Sequence, residues 1–132
     1  MKRLLVITSA LALAACALPA LAADQAKPAT GSQCFRMSQI RGHTKADDRT
    51  LYFSVGLRDV YRLDMSGACL AGTTTSDPLI MEPFGGTDLI CRPIDLNLKV
   101  KLGNVGASPC IIKEITKLTP DQIAALPPKV KP

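Results

Sequence analysis

The sequence predicts an all-β domain, a small antiparallel meander curled into a barrel or open sandwich, with one short C-terminal helix and two disulfides. Three observations predict it. Apolar and polar residues alternate with period two over several short runs, and turn-forming residues separate those runs at close intervals. Four cysteines are spread through the same stretch.

The chain opens with an export signal. Lys2 and Arg3 give a positive start, and Leu4 to Ala15 follow as twelve residues without a charge, too short to span a bilayer. Ala20-Leu21-Ala22 then forms an A-x-A cleavage site, which makes residues 1–22 the signal peptide, cut between Ala22 and Ala23. A second cut competes with it. Leu13-Ala14-Ala15-Cys16 resembles the bacterial lipobox; cleavage there makes residues 1–15 the signal and Cys16 an acylated first residue. Either cut exports the protein, to the periplasm or to the outer membrane as a lipoprotein.

Residues 23–33, rich in Ala, Pro, Thr, Gly and Lys, read as a disordered leader. A single β domain is expected over 34–127. In "QIRGHTK", Ile40, Gly42 and Thr44 fall on one face, and Gln39, Arg41, His43 and Lys45 on the other. "ADDR" is a turn. "TLYFSV" puts Leu51, Phe53 and Val55 on one side, "GLRD" closes a hairpin, and "VYRLDM" returns with Tyr61, Leu63 and Met65 together. Pro78 to Phe84 suits an edge strand, because Pro83 fits only an edge or a strand end. In "DLNLKVKL", Leu96, Leu98, Val100 and Leu102 point inward, a pattern a helix would scatter around its circumference. "GNVGAS" is a turn and "CIIKEIT" a further strand. In "LTPDQIAALPP", Thr119 is the N-cap, Pro120 is N1 and Gln122 is N3 of a capping box. So short a helix needs Ile123 and Leu126 docked on the sheet. Residues 128–132 read as an extended tail.

Either cut leaves Cys34, Cys69, Cys91 and Cys110, an even number in an exported chain, hence two disulfides with three connectivities open. The nested pairing, Cys34–Cys110 with Cys69–Cys91, ties the first strand to the last and is the one expected. No spacing is C-x-x-C, which excludes thioredoxin-like redox chemistry and a zinc knuckle.

Composition limits the function. Loss of Lys2 and Arg3 leaves 14 basic and 11 acidic residues, a net charge of +3, scattered and without aromatic interleaving. Nucleic acid is therefore not an expected partner. No G-x-S-x-G occurs, Glu82 and Glu114 are the only glutamates, and "PFGGTD" lacks the helix and lysine of a phosphate loop. No catalytic residues, no metal and no cofactor are expected. The nearest approach to a metal or general-base set is His43 with Asp47 and Asp48, otherwise an outward-facing His followed by a polar turn. Arg41 and Arg62, both expected to point outward, are the candidates for an anion-binding patch.

The order Cys34, Ile40-Arg41, Asp47-Asp48-Arg49-Thr50, Tyr52-Phe53, Val60-Tyr61-Arg62, Cys69, Ile90-Cys91, Ile94-Asp95, Cys110 resembles small exported bacterial proteins of domain of unknown function 6491. The likeness runs from Cys34 to about Ile115 and departs at "TTTSDPLIMEPFGGTD" and at the C-terminal helix and tail. It implies fold and compartment, and carries no activity.

The function expected from these features is that of a non-enzymatic envelope module that binds another envelope protein or a small ligand. Its only contact with a membrane would be a lipid anchor at Cys16. The alternatives are a periplasmic inhibitor of a lytic enzyme, since "SGACLAG" resembles the Ser-Gly-Ala loop of lysozyme-inhibiting β-barrel lipoproteins, and a small metal-dependent hydrolase centred on His43.

Overall fold

The computed structural model describes residues 34–101, 103 and 106–132. The expected signal, the expected Ala22–Ala23 cut, Cys16, the expected leader and Leu102 lie outside them. Nine strands follow in order: β1 (Phe35–Arg36), β2 (Ile40–Lys45), β3 (Thr50–Val55), β4 (Asp59–Met65), β5 (Leu79–Pro83), β6 (Leu89–Ile90), β7 (Leu96–Lys101), β8 (Ala107–Cys110) and β9 (Ile112–Lys117). Helix α1 (Pro120–Ala125) comes last among the regular elements. They form a four-stranded sheet β2-β3-β4-β9, a three-stranded sheet β5-β7-β8 and the ribbon β1-β6, every pair antiparallel. The sheets do not close on one another, so of the two forms the sequence allows, this is the open sandwich.

Burial explains the layering. Leu51, Phe53 and Val55 of β3, Tyr61, Leu63 and Met65 of β4, and Leu96, Leu98 and Val100 of β7 enter one core with Phe35 and Ile90. Three strands thus place the period-two residues inward as the alternation predicts. The other face of the four-stranded sheet is covered too. Tyr52, Val60 and Leu118 form a second cluster, packed by Ile123, Leu126 and Val130.

Helix α1 has the predicted cap. Thr119 Oγ1 accepts from the Gln122 N–H at 3.3 Å, and Gln122 Oε1 accepts from the Thr119 N–H at 2.8 Å. The tail differs from expectation. Pro128–Val130 make a 3-10 turn, Val130 packs against the cluster of Tyr52, Val60 and Leu118, and Thr44 Oγ1 donates to the Lys131 carbonyl at 3.4 Å. Among the described residues the second core has only Tyr52, Val60 and Leu118 buried, and folding the tail back adds apolar cover that a free tail would leave off.

β2 departs from simple alternation. Its register to β3 runs Ile40↔Val55 and then Gly42↔Ser54, so Arg41 is an extra residue in a bulge. The bulge reverses parity beyond it: His43 and Lys45 lie opposite core-facing Phe53 and Leu51, while Gly42 and Thr44 take the helix side. His43 is therefore not the outward-facing residue that unbroken alternation implies.

"CIIKEIT" is two strands rather than one. Cys110 ends β8 in one sheet, Ile112 begins β9 in the other, and the chain changes sheets at Ile111. Pro83 closes β5, itself an edge, as its missing N–H requires. The β3–β4 hairpin turns through Gly56 at φ 60°, a value that strains any residue with a Cβ.

The disulfides are Cys34–Cys91 and Cys69–Cys110, which corrects the nested pairing. The first strand does not meet the last. Phe35 lies opposite Ile90 across β1-β6, so Cys34 and Cys91 are the next facing positions, with Cα atoms 4.1 Å apart. Cys69 follows β4 and Cys110 ends β8, so the second bridge fastens the two sheets together.

Candidate functional site

The residues singled out for chemistry are dispersed. Arg41 sits exposed in the bulge beside Val55 and Ser54, whereas Arg62 lies across from Tyr52, which faces Thr44. The intervening strand β3 and an offset of three residues along β2 separate the pair, so they do not form a joint anion patch. Arg62 is also engaged: its Nε and Nη2 donate to Asp64 Oδ1 at 3.0 and 2.8 Å. It shares an open cleft of about 580 Å³ with Arg49, Lys113, Asp47, Asp64 and Glu114, a balanced set of three cations and three carboxylates.

His43, Asp47 and Asp48 are likewise used separately. Asp47 Oδ1 accepts from the Arg49 N–H at 2.7 Å and closes the β2–β3 turn, which holds its carboxyl below the usual range. Asp48 lies 2.9 Å from Lys45 Nζ. The same ammonium donates to the carbonyls of Leu70 at 2.6 Å and Thr73 at 3.0 Å, fastening the segment after β4 against β2. Among the described residues no group of three or more His, Cys, Asp or Glu is arranged to hold a metal ion.

His43 itself is half-buried, and its Nε2 is enclosed without a hydrogen-bond partner. Desolvation holds its pKa below 6.5, opposed by a hydrogen bond to the Asp77 backbone. The unfolded chain therefore takes up a proton first, and stability contributed at pH above about 6.5 is lost as pH falls from there toward the folded-state value. Urea midpoints measured between pH 7.5 and 5 should fall over this window in the native protein and stay level in His43→Gln. A native midpoint that does not move across that range counts against a desolvated imidazole. The lowered carboxylates Asp47, Asp88 and Asp95 release their contribution only in more acidic solution, below their ordinary value of 3.8.

The "SGACLAG" segment is fixed at several points. Ser66 N–H donates to the Ile111 carbonyl at 2.8 Å, Leu70 N–H donates to the Asp48 carbonyl at 3.2 Å, and Cys69 is bonded to Cys110. Leu70 is buried, while Ser66, Gly67 and Ala68 remain exposed.

The one strongly apolar opening among these features lies where the chain changes sheets. An open cleft of about 510 Å³ is lined by Phe84, Pro93, Ile94, Leu96, Ile111 and Ile112, with Asn97 beside them. Phe84 follows β5 on a turn whose next residues, Gly85 and Gly86, have φ of 78° and 74°. That turn leaves the ring outside the core. Pro93 and Ile94 lie in the 3-10 turn between β6 and β7, capped by Asp95, whose carboxylate accepts from the Cys91 and Arg92 N–H groups at 3.1 and 2.9 Å. Phe84, Ile94 and Ile111 stand 67%, 63% and 72% exposed. Large apolar side chains gathered at such exposure mark an interaction surface more often than chance exposure of one residue does. Sequence reasoning missed all three. The signal for Ile111 was present, since Cys110-Ile111-Ile112 breaks alternation with three apolar residues in a row.

A family model described as "Family of unknown function (DUF6491)" matches residues 1–131. No curated protein and no solved structure matches the chain.

Proposed function

We propose that this chain, which belongs to the family of unknown function DUF6491, is an exported, non-enzymatic binding module of the bacterial cell envelope. The apolar cleft at Phe84, Ile94 and Ile111 is its working face. The observation that carries this reading is the exposure of those three side chains on a scaffold tied by two disulfides, a cross-link suited to an oxidising compartment. Export is further supported by Lys2 and Arg3, the uncharged run Leu4–Ala15 and the Ala20-Leu21-Ala22 site. The scattered placement of His43, Asp47 and Asp48 favours binding over hydrolysis.

Mass spectrometry of the protein recovered from fractionated cells tests the reading. The expected result is an envelope-fraction protein whose first residue is Ala23 or an acylated Cys16, with all four later cysteines oxidised. Cytoplasmic recovery with free thiols overturns it. Purified protein that slows lysozyme, with the effect lost in a variant of the exposed Ser66-Gly67-Ala68 turn, would instead assign the binding to that turn and make the module an inhibitor.

A further inference from the structure

We propose that the end of the sandwich bearing Phe84, Ile94 and Ile111 docks on a lipid bilayer surface, inserting these three side chains at the interface. The inference rests on the envelope reading and names the partner of that same face. Two observations support a membrane surface as the partner.

The first is where the undescribed part of the chain joins the fold. Residues 1–33 lead into Cys34, which is bonded to Cys91, three residues before Ile94. Three residues of extended chain span no more than about 10 Å. Both cuts remove the uncharged run Leu4–Ala15; an acyl group on Cys16, in the lipoprotein form, therefore joins the domain at the end that presents the apolar tips. A contact made by the domain itself adds to such an anchor and fixes the orientation of the domain on the surface.

The second observation is shape and charge. Phe84, Ile94 and Ile111 sit on short turns and a strand crossover, well exposed around an open cleft rather than inside a closed pocket. The neighbouring charges are balanced: Arg92 Nη2 lies 3.0 Å from Asp95, and Lys113 adjoins Glu114 in a cleft of equal charges. The attraction is therefore apolar, and it needs neither anionic lipid nor low salt.

Vesicle flotation of the oxidised mature protein that begins at Ala23, and so carries no acyl group of its own, reads the inference directly. Neutral phosphatidylcholine vesicles and vesicles containing phosphatidylglycerol should bind it to a similar degree, with little change between low and physiological salt. Phe84→Ser/Ile94→Ser/Ile111→Ser should reduce the bound fraction about tenfold or more, because each large apolar side chain withdrawn from water is worth about a factor of ten or greater in partition. Leu57→Ser is the control. Leu57 is 87% exposed on the β3–β4 hairpin, at the opposite end of β4 from Met65, which faces Ile112; its loss should leave flotation unchanged. Intact disulfides in the triple variant, verified by mass, separate loss of binding from loss of fold.

Equal flotation of the triple variant and native protein, or binding only to anionic vesicles at low salt, overturns the proposal. Absence of vesicle binding together with an envelope protein crosslinked at Phe84 overturns it while leaving the envelope reading intact. Free thiols in cytoplasmic material would remove the envelope reading without bearing on the flotation result.

Discussion

Replacing all four bonded cysteines with alanine should leave the domain unfolded at 37 °C, the largest effect the structure predicts. The bridges close segments of 57 and 41 residues. In the chain-entropy model each contributes about 4 kcal/mol, and a domain of this size has a total stability of about 5–15 kcal/mol. Losing both consumes most of that range. Cys34→Ala/Cys91→Ala and Cys69→Ala/Cys110→Ala should each stay folded at 25 °C, with urea midpoints lowered by about 1.5–4 M at the slopes usual for small proteins. Peptide mapping of the native protein should recover Cys34 with Cys91 and Cys69 with Cys110. A quadruple variant whose midpoint lies within 1 M of the native one would show that packing alone holds the sheets.

The pairing also shows where sequence reasoning stops. The strands that carry the core were legible because their periodicity is local: Leu96, Leu98 and Val100 face inward whatever lies across from them. The capping box of Thr119 and Gln122 was legible for the same reason, since both partners lie within one turn. Disulfide connectivity is not local. It depends on β1 pairing with β6, and two strands of two residues each leave almost no pattern to read. The bulge at Arg41 is hidden in another way. One inserted residue keeps the composition of the run and reverses the face of everything after it, which placed His43 and Lys45 on the wrong side.

The candidate site was the least legible part. Patterning identifies residues that avoid water, and Phe84, Ile94 and Ile111 break that rule. Arg62 was correctly read as outward, but its bidentate engagement by Asp64, two positions away on the same strand, could not be inferred from alternation alone. Conversely, exposure at a turn after Pro83 and at a crossover between sheets becomes visible only when the sheets are assembled.

Phe53→Ala is the substitution expected to cost most among single changes, about 3–5 kcal/mol. Phe53 is completely buried on β3, between His43 of β2 and Tyr61 of β4 in the register. The Phe35 ring meets it edge-on at 6.5 Å, and Phe35 in turn lies 4.7 Å from Tyr61. The flanking Phe35 and Tyr61 rings pack on each other, and Tyr61 is held by its hydroxyl donating to the Cys34 carbonyl at 3.2 Å, so neither is free to collapse into the space. Val60→Ala, which trims the second cluster beneath the helix, should cost only about 1.5 kcal/mol, the value of two buried carbons. Removing the ring also opens a path for water to the imidazole opposite it, so Phe53→Ala should weaken the loss of stability below pH 6.5 that His43 confers. Phe53→Leu, which keeps most of the volume, should preserve that pH dependence at a cost of about 1.5 kcal/mol. Chemical denaturation of the three variants at pH 7.5 and 5.5 measures both effects at once. If Phe53→Ala proves no more costly than Val60→Ala, the principal core does not lie between the two sheets.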